Sequence, residues 1–199
     1  MSSSNDNIIT RPDFHIIAEY VQHKDRVLDI GCGDGTLLES LEQQHDVSGH
    51  GLELRQSEVS AAVAKGLSVV QGNADEDLIH YPDHSFDVVI SSKTLQATHS
   101  PKEVLRQILR IGKRSIVSIP NFGQWYNRFH LGVYGRMPVS KTLSYAWYET
   151  PNIHFCTVED FIQLAEELGA NISDIRYIGG TGARLFPNLC AELAVFVLE

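Results

Sequence analysis

The sequence of 199 residues is short of cysteines, basic residues and long apolar runs. Its three cysteines, Cys32, Cys156 and Cys190, include no C-x-x-C pair, which argues against redox or zinc chemistry. The 16 Lys and Arg are outnumbered by 25 Asp and Glu, and a net charge of -9 disfavours binding to a phosphate backbone. No run of 18 apolar residues occurs, and the first residues, MSSSNDNIIT, lack the pattern of a secretory signal. We therefore expect a cytoplasmic protein without a nucleic-acid or membrane partner.

Few of the nine histidines are spaced in the way that metal ligands require. His80 and His84 are four residues apart, but Pro82 between them prevents a shared helical face. We expect no metal site.

Apolar strand-like runs alternate with amphipathic helical runs along the chain. After a first helix for which Thr10 and Pro12 offer a start, the strand runs are 26–30, 47–54, 67–72, 85–92 and 114–120. The last runs, ISDIRYIG and AELAVFVLE, resemble an antiparallel pair that closes one sheet edge. The pattern predicts an α/β fold in one domain over 1–199: a doubly wound, mostly parallel sheet of about seven strands. An aromatic-rich insertion precedes the last predicted helix.

A glycine-rich turn follows the first strand run, in the sequence VLDIGCGDGT at 27–36. A dinucleotide fingerprint would need glycine where Thr36 stands, and a P-loop would need a lysine after the glycines. Two carboxylates, Asp29 and Asp34, would repel a pyrophosphate and attract a cationic ligand. S-adenosylmethionine carries a sulfonium and an ammonium without phosphate, so it or S-adenosylhomocysteine is the predicted cofactor.

Polar residues at the ends of the following strands support the same ligand, because open α/β sheets bind ligands at the carboxyl ends of their strands. Glu53 can accept hydrogen bonds from both ribose hydroxyls, Asn73 can pair with the adenine edge, and Ser91 can meet the methionine part. The predicted cofactor-binding residues are Asp29, Gly31, Cys32, Gly33, Gly35, Glu53, Leu54, Asn73, Ala74 and Ser91. No catalytic residue is assigned; His99 and His154 are candidate bases only.

Two groups of sequence motifs resemble known families. RVLDIGCGDGTLLESL, GLEL and SFDVVISS, within 25–119, resemble the class I, Rossmann-like methyltransferases. The segments PNFGQW, GRMPVS and WYETPNIH are similar to the MetW family of methionine biosynthesis. That resemblance implies a role in methionine biosynthesis together with a homoserine O-acyltransferase. One departure is Asn73, where many related methyltransferases carry Asp, and it weakens the adenine assignment.

The segment 121–156 contains nine of the seventeen Phe, Trp and Tyr residues of the chain. Its basic residues Arg128, Arg136 and Lys141 oppose one acid, Glu149. Amphipathic aromatic residues together with arginine are typical of the centres of protein interfaces. The segment is therefore predicted to be either an interaction surface or, with equal weight, a lid over a substrate. Three functions stay open: an accessory subunit for homoserine acylation, a self-sufficient small-molecule methyltransferase, and a nucleotide-binding regulator. A G-x-S-x-G nucleophile is absent, so the chain is not expected to be the acyltransferase itself.

Overall fold

A computed structural model describes residues 11–140 and 143–199. The strands are β1 (Arg26–Ile30), β2 (Ser48–Glu53), β3 (Val69–Gln71), β4 (Phe86–Ser92), β5 (Gly112–Pro120), β6 (Ile172–Gly179) and β7 (Ala191–Leu198). The helices are α1 (Pro12–Glu19), α2 (Thr36–His45), α3 (Gln56–Ala64), α4 (Ala74–Asp77), α5 (Pro101–Ile111), α6 (Trp125–Tyr134), α7 (Val158–Glu167) and α8 (Pro187–Cys190). Short 3-10 turns cover Leu78–His80 and Leu95–Ala97.

The strands form one seven-stranded sheet in the order β3-β2-β1-β4-β5-β7-β6. Strands β1 to β5 run parallel to their neighbours, and β7 lies antiparallel between β5 and β6. This confirms the predicted doubly wound sheet and its terminal antiparallel pair. The strand order reverses between β1 and β4, and that reversal leaves a crevice at the carboxyl ends of the strands.

Two apolar clusters cover the two faces of the sheet. Leu28 and Val89 pack in one cluster with Phe161 of α7, whereas Val27 and Val88 pack in the other. Successive residues of a strand point to opposite faces, so a strand covered on both sides has a continuous apolar sequence.

The helix boundaries follow local sequence signals. Proline opens α1 and α5, and a Thr157–Asp160 capping box opens α7. Thr10, the other predicted start for α1, lies outside the described residues.

The segment 121–156 contains helix α6 followed by turns and bends. Asn121 fixes its beginning, because Nδ2 donates to the carbonyls of Asn188 (3.1 Å) and Ala191 (2.9 Å). The amides of Ile153 and His154 both donate to the carbonyl of Gln96, which fixes its end. The sequence did not predict α6, because its aromatic and apolar side chains do not face the core and its one buried residue is Asn127. Lys141 lies outside the described residues.

Candidate cofactor-binding site

A cavity of about 770 Å³ opens at the carboxyl ends of β1 to β4. Its walls come from residues 31–34, 52–55, 72–75 and 92–94, with contributions from 97–99 and from Arg11, Phe14, Thr36, Leu37, Tyr145, Pro151 and Asn152. The volume falls within the range of ordinary small-molecule sites, about 300–1,000 Å³. The cavity therefore lies where the sheet topology favours ligand binding and is large enough for a nucleoside ligand.

The three glycines of the turn have different surroundings. Gly31 and Gly35 pack closely against other protein atoms. A Cβ at Gly31 would lie 2.3 Å from the Thr94 hydroxyl oxygen, and a Cβ at Gly35 would lie 2.3 Å from Leu67 Cδ1. Gly33 also has a left-handed backbone, with φ +57°, but a Cβ there would meet nothing within 4 Å. Gly33 lines the cavity, so its open side is available for close approach by a ligand.

Glu53 connects the end of β2 to this turn. Its side chain is buried, and Oε2 accepts a hydrogen bond from the Gly33 amide at 2.9 Å. Oε1 accepts two, from the Arg55 amide at 2.9 Å and from Arg55 Nε at 3.3 Å. A carboxylate has about four lone-pair positions, so acceptor capacity is left for further donors. A ribose diol, which offers two hydroxyl donors, fits this carboxylate at the cavity wall.

The two aspartates next to and within the turn, Asp29 and Asp34, carry less free charge than the sequence suggests. Asp34 pairs with Lys65 of the α3 terminus, whose Nζ lies 2.9 Å from Oδ2. Burial opposes ionisation of Asp34, but the hydrogen bonds from Lys65 and Thr36 outweigh it and keep its pKa below the ordinary value. Asp29 is buried in β1, and this burial raises its pKa to about 7. Attraction of a cationic ligand therefore depends less on these two groups than the sequence analysis supposed.

Asp29 also has an orphaned polar atom. Its Oδ1 is buried without a hydrogen-bond partner among the described residues. Buried acceptors normally have partners, so an unpaired one beneath a cavity wall is consistent with a donor supplied by a ligand or by water.

The remaining predicted residues on the walls differ in what their side chains do. Leu54, Ala74 and Cys32 line the cavity. Burial raises the pKa of the Cys32 thiol to about 12, so it stays protonated at neutral pH. Asn73 lines the cavity too, but its Oδ1 accepts from the Asp75 amide at 3.1 Å and caps α4. The sequence analysis assigned Asn73 to the adenine edge and did not foresee this cap.

Ser91 lies apart from the cavity. Its side chain is fully buried in β4, and its hydroxyl has no partner among the described residues. The next residue, Ser92, lines the cavity instead, together with Lys93 and Thr94. The sequence analysis also missed Arg11, whose Nη2 donates to the Ser92 hydroxyl at 2.7 Å.

The candidate bases lie near the same opening. His99 lines the cavity, and its backbone amide donates to Asp75 at 2.9 Å. A ring nitrogen of His154 lies 3.4 Å from the carbonyl of His99.

Over residues 11–140 and 143–199, no three His, Cys, Asp or Glu side chains lie close enough together to form a metal site. No helix in that part of the chain is long and apolar enough to cross a bilayer.

Residues 11–198 match the model of the family described as methionine biosynthesis protein MetW. The chain belongs to the MetW family. A relative in Rhodopirellula baltica, the bifunctional methionine biosynthesis protein MetXA/MetW, is 32% identical over 97% of this chain. This MetW-family chain spans only 33% of that relative's length. A ubiquinone/menaquinone biosynthesis C-methyltransferase of Bdellovibrio bacteriovorus is 29% identical, with 61% of this chain and 56% of the relative covered.

Solved structures share the fold of this MetW-family chain. A SAM-dependent methyltransferase from Archaeoglobus fulgidus superposes with a TM-score of 0.73 at 18% identity, covering 99% of this chain and 94% of the other. An S-adenosylmethionine-dependent methyltransferase from Mesorhizobium loti gives a TM-score of 0.69 at 17% identity, covering 94% and 95%. At these identities the likeness concerns the fold, and it confirms the class I methyltransferase architecture expected from the sequence.

Proposed function

We propose that this MetW-family chain binds S-adenosylmethionine or S-adenosylhomocysteine in the cavity above β1 to β4. The observation that carries the proposal is Glu53, a buried carboxylate held against the glycine turn by the Gly33 amide at 2.9 Å. Its remaining acceptor capacity would serve the ribose hydroxyls, and Gly33 would let the ligand approach the backbone. The adenine would lie against Leu54, Asn73 and Ala74. S-adenosylmethionine, when bound, supplies an electrophilic methyl group.

The direct test is calorimetric titration of the purified chain with S-adenosylhomocysteine. Glu53→Gln should lower affinity about 10- to 150-fold, because a hydrogen bond to a charged group contributes about 1.5–3 kcal/mol. Glu58→Gln is the matched control, since Glu58 lies in α3 and does not line the cavity. Wild type that shows neither heat nor a thermal shift at millimolar ligand would refute the cofactor assignment.

We further propose that the chain acts as an accessory partner of a homoserine O-acyltransferase. A set of exposed side chains in the segment 121–156, here called the aromatic surface, supports this role. It consists of Trp125, Phe129, Val133 and Tyr134 on α6 and of Trp147 and Tyr148 later in the segment. Trp147 and Tyr148 are each 70% exposed, and exposed apolar patches of this kind mark interaction sites. Arg128 joins α6 to the carbonyl of Asn188, so the exposed Leu185 and Phe186 extend the surface.

The bifunctional relative supports the choice of partner. The name of that relative joins MetXA to MetW, which indicates both parts in one polypeptide. Two parts of one polypeptide are held at a high effective concentration relative to each other. A separate chain needs a docking surface to reach the same proximity. The family resemblance implies the homoserine O-acyltransferase as the partner, and the aromatic surface is the place where we expect it to dock.

Co-purification and an acyltransfer assay test the partnership. Trp125→Ala and Trp147→Ala should each weaken the complex by about 2 kcal/mol or more, since large aromatics dominate interface energy. Ile79→Ala removes an equally exposed apolar side chain outside the surface and should bind normally. Wild type that neither associates with the acyltransferase nor changes its rate would defeat the proposal.

A second candidate function is a self-sufficient small-molecule methyltransferase. It is favoured by Tyr145, Pro151 and Asn152, which belong to the same segment as the aromatic surface and form part of the cavity wall. A lid over a substrate would have this arrangement. Incubation with labelled S-adenosylmethionine and a metabolite extract distinguishes the two: transfer of label without the acyltransferase would favour the methyltransferase.

A further inference from the structure

The stretch 143–154 has one side in the cavity wall and the other side in the aromatic surface. Tyr145 and Asn152 line the cavity. Trp147 and Tyr148 lie between them in the sequence, and each is 70% exposed. Neither of these two exposed side chains lines the cavity. A short piece of backbone therefore joins the proposed ligand site to the proposed docking surface.

Hydrogen bonds make the middle of this stretch a compact turn. The amides of Glu149 and Thr150 donate to the carbonyl of Ala146 at 3.0 and 3.1 Å. The rings of Trp147 and Tyr148 meet edge to face, with their centroids 5.6 Å apart. Because the turn is closed on itself, a displacement of the adjoining cavity wall would also displace the two aromatic rings.

The stretch is attached to the rest of the protein near its two ends. Leu143 is buried, and the amides of Ile153 and His154 donate to the carbonyl of Gln96 at 2.8 and 3.0 Å. Between these points, the hydrogen bonds that residues 144–152 make with described residues stay within the stretch itself. Segments with few contacts to their surroundings open at a low free energy, so a bound ligand can shift their arrangement.

Gln96, which holds the second attachment, has an unpaired side chain. The residue is buried, and neither its Nε2 nor its Oε1 has a hydrogen-bond partner among the described residues. Buried amides are normally paired, and an unpaired one costs free energy. The observed attachment therefore competes with any other arrangement that gives this carboxamide partners. Gln96 directly precedes the cavity-wall residues 97–99, so a change at the attachment also reaches the cavity.

We propose that the stretch 143–154 has two arrangements and couples ligand binding in the cavity to docking of the partner on the aromatic surface. This inference rests on the proposed function, since it assigns the regulation of those two sites. A nucleoside ligand held against Tyr145 and Asn152 favours the observed arrangement, in which Trp147 and Tyr148 are exposed. The partner then binds a surface that is already ordered, and by linkage the docked partner strengthens ligand binding.

The first experiment follows the stretch in the chain alone. The sequence has two tryptophans, so Trp125→Phe leaves Trp147 as the only one. The fluorescence of Trp147 should change on titration with S-adenosylhomocysteine, with the midpoint that calorimetry gives. Trp147→Phe is the matched control, because it leaves Trp125 on α6, whose fluorescence should stay constant. Neither tryptophan lines the cavity, so direct contact with the ligand does not explain a change. A constant Trp147 signal at saturating ligand, or an equal change at Trp125, would overturn the two arrangements.

The second experiment measures the coupling itself. The dissociation constant of the complex with the homoserine O-acyltransferase is determined with and without saturating S-adenosylhomocysteine. The ligand should tighten the complex about fivefold or more, as is usual for coupled sites, and the partner should raise ligand affinity by the same factor. Gln96→Met removes the unpaired amide and keeps the length of the side chain. It should tighten the complex without ligand and abolish most of the coupling.

The outcomes separate this coupling from the functions on which it rests. Failure of wild type to bind S-adenosylhomocysteine, or to associate with the acyltransferase, would refute the proposed function and the coupling together. If both bind and neither changes the affinity of the other, the coupling is overturned and both sites stand. Unequal factors in the two directions would place a ligand site on the acyltransferase and overturn the assignment to this chain. An unchanged coupling in Gln96→Met would overturn the second arrangement inferred from its carboxamide.

Discussion

Substitution of Gly33 by alanine separates a ligand contact from a folding requirement. The new methyl group would meet no protein atom within 4 Å, so the protein itself bears only the strain of an alanine at φ +57°. A left-handed L-residue costs about 1–2 kcal/mol. For a chain of this size we expect the unfolding midpoint to fall by about 2–8 °C, since about 1 kcal/mol corresponds to about 2–4 °C.

The effect on binding should be separate from this loss of stability. If the ligand packs against Gly33, the methyl group must displace it, and overpacking of a filled contact costs about 1–3 kcal/mol. We therefore expect a loss of affinity for S-adenosylhomocysteine of about 5- to 150-fold in calorimetric titration. The measurement should be made well below the unfolding midpoint of the variant, so that only folded protein is titrated.

Gly169→Ala is the control for strain without a ligand. Gly169 has φ +71°, a Cβ there would meet nothing within 4 Å, and the residue lies after α7 away from the cavity. It should lose similar stability and keep wild-type affinity. Wild-type affinity in Gly33→Ala would refute the claim that the turn contacts the ligand, and an equal loss in Gly169→Ala would attribute the effect to general destabilisation.

Further predictions concern stability. Asp29 has a folded-state pKa of about 7 against an ordinary 3.8, so the native state binds its proton more tightly and stability falls as pH rises between those values. Asp29→Asn removes this decline while the neighbouring charges Arg11, Asp13 and Glu53 are kept. The unfolding midpoint of the variant, relative to that of wild type, should therefore be higher at pH 8 than at pH 5. If this difference does not depend on pH, the raised pKa is contradicted. Gly31→Ala should destabilise the fold more than Gly33→Ala, because the added Cβ would lie 2.3 Å from the Thr94 hydroxyl oxygen. The double variant Gly31→Ala/Thr94→Ala should recover part of the lost stability in thermal unfolding, and absence of recovery would argue against that clash. Thr157→Ala should cost about 1 kcal/mol in denaturant unfolding through loss of the capping box, whereas Thr157→Ser should be nearly neutral.

The sequence predicted those features that depend on local pattern. The strand runs and the terminal antiparallel pair both have signals within a few residues of the elements they describe. Glu53 could be found because its position at the end of a strand run places it at the carboxyl edge of the sheet. Its contact with the Gly33 amide is a consequence of β1 and β2 being neighbours.

Features that depend on tertiary contacts were not predictable in the same way. Arg11 reaches the cavity from just before α1, and no spacing in the sequence relates it to Ser92 or Lys93. Helix α6 has no apolar stripe that faces the core, because its aromatic residues remain exposed. The choice between Ser91 and Ser92 depends on the pleat, where a shift of one residue exchanges the two faces of the strand. A run of two serines cannot show which one faces the ligand.

The hydrogen bond between Glu53 and the Gly33 amide has a kinetic consequence. The bond holds the carboxylate and the turn in position with protein groups alone, so a ligand need not order them as it enters. Preorganised sites lose less conformational entropy on association. We expect rapid association for every nucleoside ligand that fits, with the differences between ligands residing in how long each stays bound.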